Sequence, residues 1–437
     1  MILKELNNKK IAIIGLGIDN YALIKYLLNK KIDCQLVIFE FKTKQEIGAY
    51  QELTKFKNIT WRLGQGYTKD LSEFDLIVRS PGSLVHKDKK VKIGQAIITT
   101  PVNLFFIFCP TQNIIGVTGT KGKGSTASLV AHILQTAKKK VWLGGNIGIA
   151  FLAFIDKIKP TDWVVLELSS FQLEDIITSP HIAVFTNFVK EHLRPADPNN
   201  PNHHKTLAEY WRAKLNIAHW QLKSDYLIVN TNLKKKLKNS QLASKIIYFT
   251  KSDLPSQLPG AHNQENVAAA VAVAKLAKIK QTDIAKAVAS FQGLIYRLQL
   301  VRGLRGVRYY NDSFATTPEA TITALKSFTE PIILLAGGAD KGSDFKQLAK
   351  IIKQRVKFVA LLAGQATPKL KKALLTISYP KNQIVVFNNL PTAVKVAQEQ
   401  AKIGEIVLLS TACASFGMFK NYKERGQLFT AMVQKLK

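Results

Sequence analysis

Acidic residues are scarce in this chain of 437 residues: 30 Asp and Glu stand against 62 Lys and Arg, a formal charge of +32. Such an imbalance invites a nucleic-acid reading through phosphate neutralisation. The lysines, however, fall in short runs (Lys138 to Lys140, Lys234 to Lys236, Lys371 and Lys372) on what read as solvated helix faces, without the interleaved aromatics of a single-strand platform. No nucleic-acid partner is expected, while attraction of small anions fits either case. Cysteine is nearly absent. Cys34, Cys109 and Cys413 are odd in number and far apart, which excludes a disulfide framework and a CxxC metal pair and predicts reduced, buried thiols. Long apolar runs are missing too: NLFFIFC (103–109) ends at Pro110, far too short to span a bilayer. The polar opening from Met1 to Lys10 is no signal peptide, so a cytoplasmic protein without membrane contact is expected.

What is present is rhythm. Short β-branched runs alternate with helix-length amphipathic stretches: KIAIIG (10–15), QLVIF (35–39), DLIVRS (75–80), NIIGV (113–117), WVVLEL (163–168), IAVFTN (182–187), YLIVN (226–230), PIILLAGG (331–338), FVALLAG (358–364), IVVF (384–387) and EIVLLS (405–410). This predicts an α/β protein with mostly parallel sheets. A hydrophobic content of 46% fills several cores, and the pattern falls into three blocks, 1–109, 110–294 and 295–437. PADPNNPNHH (195–204) reads as a loop.

The first block opens with a strand, Gly15-Leu16-Gly17, a helix, and Glu40 at the end of the next strand. This is a partial dinucleotide fingerprint in which Asn20 replaces the third glycine and Glu40 stands near the ribose-partner position. An unliganded tight strand-to-helix turn is the alternative reading.

The second block carries GVTGTKGKGSTASL (116–129), a strand running through a glycine-rich turn into a helix. Glycines let backbone N–H groups approach phosphates, the helix start supplies partial positive charge, and Lys123 reaches the β- and γ-oxygens of ATP. Gly124 occupies the place where a P-loop has its magnesium hydroxyl, leaving Ser125 or Thr126 for that role. Ser125 is the expected one, although both also serve as ordinary helix caps. Glu167, at a strand tip one element later, fits a metal-holding acid. His192 in NFVKEHLRP and Lys214 in EYWRAKLNIA are unremarkable alone, though apolar neighbours would lower the lysine pKa. In the third block YYNDSFATTPEA (309–320), GGADKGSDF (337–345) and LLSTACASFGMFKNYKERG (408–426) each follow or overlap a strand-like run, so they are expected to gather at one sheet edge.

In order along the chain IIGLG, SPG (80–82), GVTGTKGK, GGNIG (144–148), LELSSFQLE (166–174), the His192 segment, WRAKLNIA, GAHNQENVAAA (260–270), YRLQ (296–299), NDSxAT (311–316), GGADKGSDF and ACASFGMFKNY resemble the ATP-dependent Mur ligases of peptidoglycan synthesis. The resemblance is nearest to the members that join D-glutamate to UDP-N-acetylmuramoyl-L-alanine. It implies a Rossmann-like first domain for the UDP substrate, a central P-loop ATPase-type domain and a Rossmann-like C-terminal domain for the amino acid. It further implies ATP contacts at Gly119, Thr120, Lys121, Gly122, Lys123, Gly124, Ser125, Thr126, Asn263, Asn266, Arg297 and Asp312. UDP-substrate contacts fall on Gly15, Gly17, Ile18, Glu40, Ser80, Pro81, Gly82, Asn146, Ser169 and Gln172. Thr316, Lys341, Ser415 and Tyr422 match positions that hold D-glutamate. Mg²⁺ would be held by Ser125, Glu167, His192 and a carbamate formed from CO2 on Lys214. Lys123, Lys214, His192 and Glu167 make the implied catalytic set, in a protein expected to act as a monomer.

Departures from the resemblance are Phe314 where NDS-K-AT has lysine, Asn20, and the GKGS spelling found in the related folylpolyglutamate synthases. Open alternatives are another ligase of this superfamily, with a different acceptor or folylpolyglutamate-like, and a nucleic-acid-stimulated P-loop ATPase.

Overall fold

The computed structural model describes residues 2–64, 70–193, 202–340 and 342–437; Lys341 and residues 195–201 of the loop read at 195–204 lie outside the described residues. Three sheets follow one another along the chain. The first holds β1 (Lys10–Ile14), β2 (Gln35–Glu40), β3 (Ile59–Leu63), β4 (Leu76–Arg79) and β5 (Ile97–Thr99) in the order β3-β2-β1-β4-β5, all parallel. The second holds β6 (Ile114–Thr118), β7 (Val141–Gly145), β8 (Trp163–Glu167), β9 (Ile182–Phe185), β10 (Tyr226–Asn230) and β11 (Lys245–Phe249) in the order β11-β10-β9-β6-β8-β7, again parallel. The third holds β12 (Gln299–Leu304), β13 (Val307–Asn311), β14 (Ile332–Ala336), β15 (Val356–Leu362), β16 (Ile384–Phe387) and β17 (Ile406–Leu409) in the order β12-β13-β17-β14-β15-β16. Its β12–β13 hairpin is antiparallel.

Central strands such as IIGVT and IILLA are buried at every position, as expected for parallel strands covered by helices on both faces. Alternation still decides which core each residue joins. In the third sheet Leu334, Leu361 and Leu408 enter one apolar cluster, and their neighbours Leu335, Leu362 and Leu409 enter the other.

By contact density the chain forms two compact units, one of Met1–Ser252 with Glu265–Ala287, the other of Asp253–Gln264 with Val288–Lys437. In the first unit a single apolar cluster runs through both sheets, from Ile11, Ile38 and Val78 to Val164, Phe185 and Leu227. The three cysteines are free and buried, and burial pushes the Cys34 and Cys109 thiols up to about 11. Among the described residues no helix is long and apolar enough to cross a membrane.

Both sheets of the first unit reverse strand order beside a chain-leading strand, β1 next to β4 and β6 between β9 and β8. Ligands of open α/β sheets enter the crevice that opens beyond the strand ends at such a reversal. Asn20 acquires a physical role there. Its buried side-chain amide donates to the carbonyls of Gly15 (2.7 Å) and Ile14 (3.3 Å), fastening the turn after β1 in place of a close-packed glycine.

Candidate functional site

The turn between β6 and the helix Lys123–Thr136 is built where only glycine fits at two positions. Gly119 has φ +144° and a Cβ there would lie 2.0 Å from Thr186 Oγ1; Gly122, with φ +78°, would place one 2.2 Å from Asn266 Oδ1. The rest of the turn is pinned by its neighbours. Thr120 Oγ1 accepts from the Val189 N–H (3.1 Å) and pairs with the Tyr210 hydroxyl (3.1 Å), and the Lys121 N–H donates to Asn187 Oδ1 (2.8 Å). The Lys121 ammonium turns outward to Glu191 (2.8 Å), whereas Lys123 Nζ folds onto the Thr120 carbonyl (3.1 Å). Gly124 is buried in the first helical turn. Thr126 is fully buried and donates to Asn266 Oδ1 (3.3 Å), so of the two hydroxyls Ser125, only half-buried, is the one not committed to Asn266.

A cleft of about 370 Å³ lies in the first unit, at the crevices of its two sheets. Gly17, Ile18, Ser80, Pro81 and Gly82 line it from the first sheet, and Lys123, Asn146, Ser169, Gln172, His192 and Lys214 from the second. Gly15 sits just behind, where a Cβ would meet Ser80 Oγ at 2.6 Å. Glu40 is not in the cleft. Its carboxylate accepts from the Leu16 (2.9 Å) and Phe41 (3.0 Å) N–H groups and lines an adjoining groove shared with Gly17 and Ile18. Glu167 lies buried at the tip of β8. One carboxylate oxygen accepts from the Asn146 amide (3.1 Å), and the other, Oε2, is buried without a hydrogen-bond partner.

Lys214, in the helix Leu207–His219, is 1% exposed and donates to the Gly119 carbonyl at 2.6 Å. Burial, then the nearby Lys123 charge, drive its pKa well below the usual lysine value, against the pull of Glu191 and Glu167. Both causes shift the balance toward the neutral amine. His192 adopts a left-handed backbone (φ 58°) with its ring edge-on to Phe171 at 5.2 Å. Burial lowers its pKa against the opposing charge of Glu191, favouring the neutral, ligand-competent imidazole.

Sequence reasoning missed several members of this region. Asp19 lines the cleft, accepts from Gln172 Nε2 (3.1 Å), and is raised by burial to about 6 against that hydrogen bond. Its partner Gln172 and Ser169, both expected in this region from the resemblance, form a capping box that fixes the segment after β8. Arg79, fully buried at the tip of β4, pairs with Asp175 and donates to the Ser80 (3.2 Å) and Phe171 (3.3 Å) carbonyls. Beside it Glu174, His204 and Glu209 are spaced closely enough to hold a metal ion. The Lys87 ammonium fills that place instead, pairing with Glu174 and Glu209 and donating to Asn202 Oδ1 (3.0 Å) and the His203 carbonyl (3.2 Å). Burial works to raise the Glu174 carboxyl, but hydrogen bonds from His86 and Lys87 outweigh it and bring it down to about 2. These partners are about 90 to 120 positions apart in sequence, with no local signal to announce them.

In the second unit the three late motifs meet at one edge of the third sheet, where β13, β17 and β14 are adjacent. The Asp312 N–H donates to the Leu409 carbonyl (2.8 Å), Gly337 to Thr411 (2.9 Å) and Ala339 to Ala414 (3.0 Å). Asp312 is buried, accepting from Ser410 Oγ (2.8 Å) and the Leu298 N–H (3.2 Å). Thr316 is half-buried on the loop after β13, Ser415 is buried after β17, and Tyr422 opens the helix Tyr422–Lys435 with its ring edge-on to Phe314. The buried Arg425 ties this loop together through Ser313 Oγ (2.9 Å) and the Ser313 carbonyl (2.7 Å). Asn263 belongs to the second unit, with its amide on the Pro259 carbonyl (2.7 Å), and Asn266 to the first.

Burial raises the Asp312 carboxyl from 3.8 to about 7 against the hydrogen bonds from Ser410 and Leu298. The folded protein thus binds this proton more tightly than the unfolded chain. The resulting stability is fully present below 3.8 and is lost as pH rises through about 7. Asp312→Asn, which cannot titrate, is expected to melt progressively higher relative to the parent as pH is raised over that interval. Parallel melting curves for the two proteins would contradict the assignment.

Comparison with known proteins gives consistent matches. Residues 9–98 match the MurD-like N-terminal domain of Mur ligases, residues 117–254 the Mur ligase middle domain, and residues 296–413 the Mur ligase glutamate ligase domain. The UDP-N-acetylmuramoylalanine–D-glutamate ligase of Acetivibrio thermocellus is 36% identical over 470 aligned residues, covering 99% of this chain and 98% of that one. The enzyme of the same name from Clostridium kluyveri is also 36% identical, covering 97% and 96%. Among solved structures, UDP-N-acetylmuramate-alanine ligase of Thermotoga maritima superposes with a TM-score of 0.57 at 17% identity, covering 98% of this chain and 100% of its own. Folylpolyglutamate synthase of Mycobacterium tuberculosis gives a TM-score of 0.53 at 14% identity and covers 75% of this chain and 93% of its own.

Proposed function

Because this chain belongs to the Mur ligase family, we propose that it joins D-glutamate to UDP-N-acetylmuramoyl-L-alanine with cleavage of ATP, a step of peptidoglycan precursor synthesis. The observation that carries the reading is the cleft in which Lys123 and Lys214 share walls with the Ser80-Pro81-Gly82 loop and Asn146. A phosphate cradle there faces a second anionic substrate.

A carboxylate is a poor electrophile, so the alanyl carboxylate oxygen first bonds to the γ-phosphorus of ATP and ADP leaves. The amine of D-glutamate then attacks the acyl phosphate, inorganic phosphate departs, the amine gives up its proton, and an amide remains. The protein's part is to hold like-charged groups together and offset charge as it accumulates. Backbone N–H groups of Gly119 to Gly124 and the Lys123 ammonium receive the phosphates. Asn263, Asn266, Arg297 and Asp312 take the rest of the nucleotide. Gly15, Gly17, Ile18, Glu40, Ser80, Pro81, Gly82, Asn146, Ser169 and Gln172 receive the UDP substrate, and Thr316, Lys341, Ser415 and Tyr422 receive D-glutamate.

The donor set suits a magnesium site. Of these oxygen and nitrogen donors His192 lines the cleft, Glu167 with its partnerless Oε2 is bonded to the cleft residue Asn146, and the half-buried Ser125 hydroxyl lies two residues after the cleft residue Lys123. Magnesium bound there neutralises phosphate charge and polarises the phosphoryl group. Lys214 completes the set as a carbamate: its neutral amine bonds to the carbon of CO2, releases a proton, and becomes an anion in place of a cation. The enzyme acts as a cytoplasmic monomer, without nucleic acid or membrane.

The test is phosphate release from ATP in the presence of UDP-N-acetylmuramoyl-L-alanine while the amino acid is varied. Release dependent on D-glutamate is expected. Turnover with another amino acid and none with D-glutamate would remove the acceptor assignment and leave the ligase.

A further inference from the structure

Phe314 replaces a lysine in the NDS-K-AT pattern, yet the position has not lost its link to positive charge. The Arg297 guanidinium carbon lies 3.8 Å from the centre of the Phe314 ring, at stacking distance. The backbone around Arg297 is held in an uncommon shape. Tyr296 (φ 65°) and Leu298 (φ 44°), on either side, are both left-handed, a conformation that side-chain-bearing residues keep only when their surroundings enforce it.

The enforcement is visible. The Tyr296 ring packs so closely on Gly426 that a Cβ there would lie 2.3 Å from it. The Tyr296 carbonyl accepts from the Phe314 N–H (3.0 Å), and the Leu298 N–H donates to Asp312 Oδ1 (3.2 Å). Phe314 is itself fixed by the Tyr422 ring, edge-on at 5.1 Å and 87°, and is 40% exposed. A solvent-facing phenylalanine makes little sense as core, but it makes sense as a platform whose face is covered by a guanidinium.

We propose that Phe314 is a positioning residue whose ring face holds the Arg297 guanidinium at the C-terminal end of β13, presenting it to the bound nucleotide. A flat ring under a planar cation thereby substitutes for a direct lysine charge. The inference rests on the nucleotide role of Arg297 proposed above.

The experiment is calorimetric titration of the full chain with a non-hydrolysable ATP analogue and magnesium, which reads nucleotide affinity without any acceptor. Arg297→Ala weakens binding. Phe314→Leu weakens it about fivefold, the range of a partly exposed cation–π pair, and Phe314→Trp, which keeps a ring face, stays close to the parent. The double variant Phe314→Leu/Arg297→Ala binds like Arg297→Ala alone. An unchanged Kd for Phe314→Leu, or its full factor persisting in the Arg297→Ala background, overturns the positioning role while sparing that of Arg297. An unchanged Kd for Arg297→Ala shows instead that the nucleotide role of Arg297 is wrong, and the platform falls with it.

Discussion

Lys123→Ala is expected to cut D-glutamate-dependent phosphate release by about a thousandfold, chiefly in kcat, in line with removal of a phosphate-clamping cation from a preorganised site. The lysine enters the helix at its first turn, where the partial positive charge of the helix start adds to its own. Its ammonium rests on the Thr120 carbonyl, a short swing from any phosphate cradled by the same loop. Loss of charge that matters most as the phosphoryl group moves should reduce kcat more than it weakens ATP binding. A variant that loses ATP affinity and keeps kcat would place Lys123 in binding alone. A second effect follows from proximity. After burial, Lys123 is the next cause of the depressed Lys214 pKa, so its removal should also make the Lys214 amine easier to protonate.

Lys214→Ala is expected to lose about a hundredfold to a thousandfold in the same assay, the usual scale for deleting one charged group from a catalytic centre. Loss of activity alone would not separate a carbamate from a structural lysine, because Lys214 also holds the Gly119 carbonyl. Carbon dioxide separates them. Parent enzyme in CO2-stripped buffer should lose activity and regain it on adding bicarbonate, with the Lys214→Ala variant indifferent to both. A parent enzyme equally active without CO2 would rule out the carbamate. The environment favours the modification because only an unprotonated amine reacts, and burial beside Lys123 keeps the amine unprotonated well below the ordinary lysine range.

The core of the fold was legible in the sequence wherever strands are buried on both faces. All eleven apolar runs read as strands are strands; ten lie inside their sheets, where a fully covered strand must be apolar at successive positions, and the eleventh, β16, is a sheet edge whose run stays apolar although Val385 and Val386 are exposed. Those missed are edges and irregular pieces. β3 (ITWRL) and β11 (KIIYF) are sheet edges with exposed positions, so no continuous run marks them. β7 (VWLGG) ends in glycines that a strand rarely contains, and its second glycine is required because a Cβ would lie 2.2 Å from the Glu167 carbonyl oxygen. The β12–β13 hairpin turns at Arg305-Gly306, where a basic, half-exposed sequence hides the antiparallel pairing. The site divides in the same way. The glycine turn announces itself because phosphate approach constrains the local backbone. His192 and Lys214 are intelligible only through the resemblance, since their meaning lies in what the fold brings next to them. Asp19 and the Arg79 and Lys87 networks carried no signal at all.

Those networks set where this protein can be recombined. Strand β4 ends in Arg79, whose carboxylate partner Asp175 belongs to the segment after β8, and Lys87 reaches on to Glu174 and Glu209. An exchange of the first hundred residues with a relative that lacks these cations, cut at the seam between the first two sheets, would leave their acids buried and unpaired, and stranding a buried charge costs about 3–5 kcal/mol. A viable chimera has to carry residues 170–175 and 202–209 along with the first sheet. Inheritance of this part of the molecule follows its buried charges rather than its strand count.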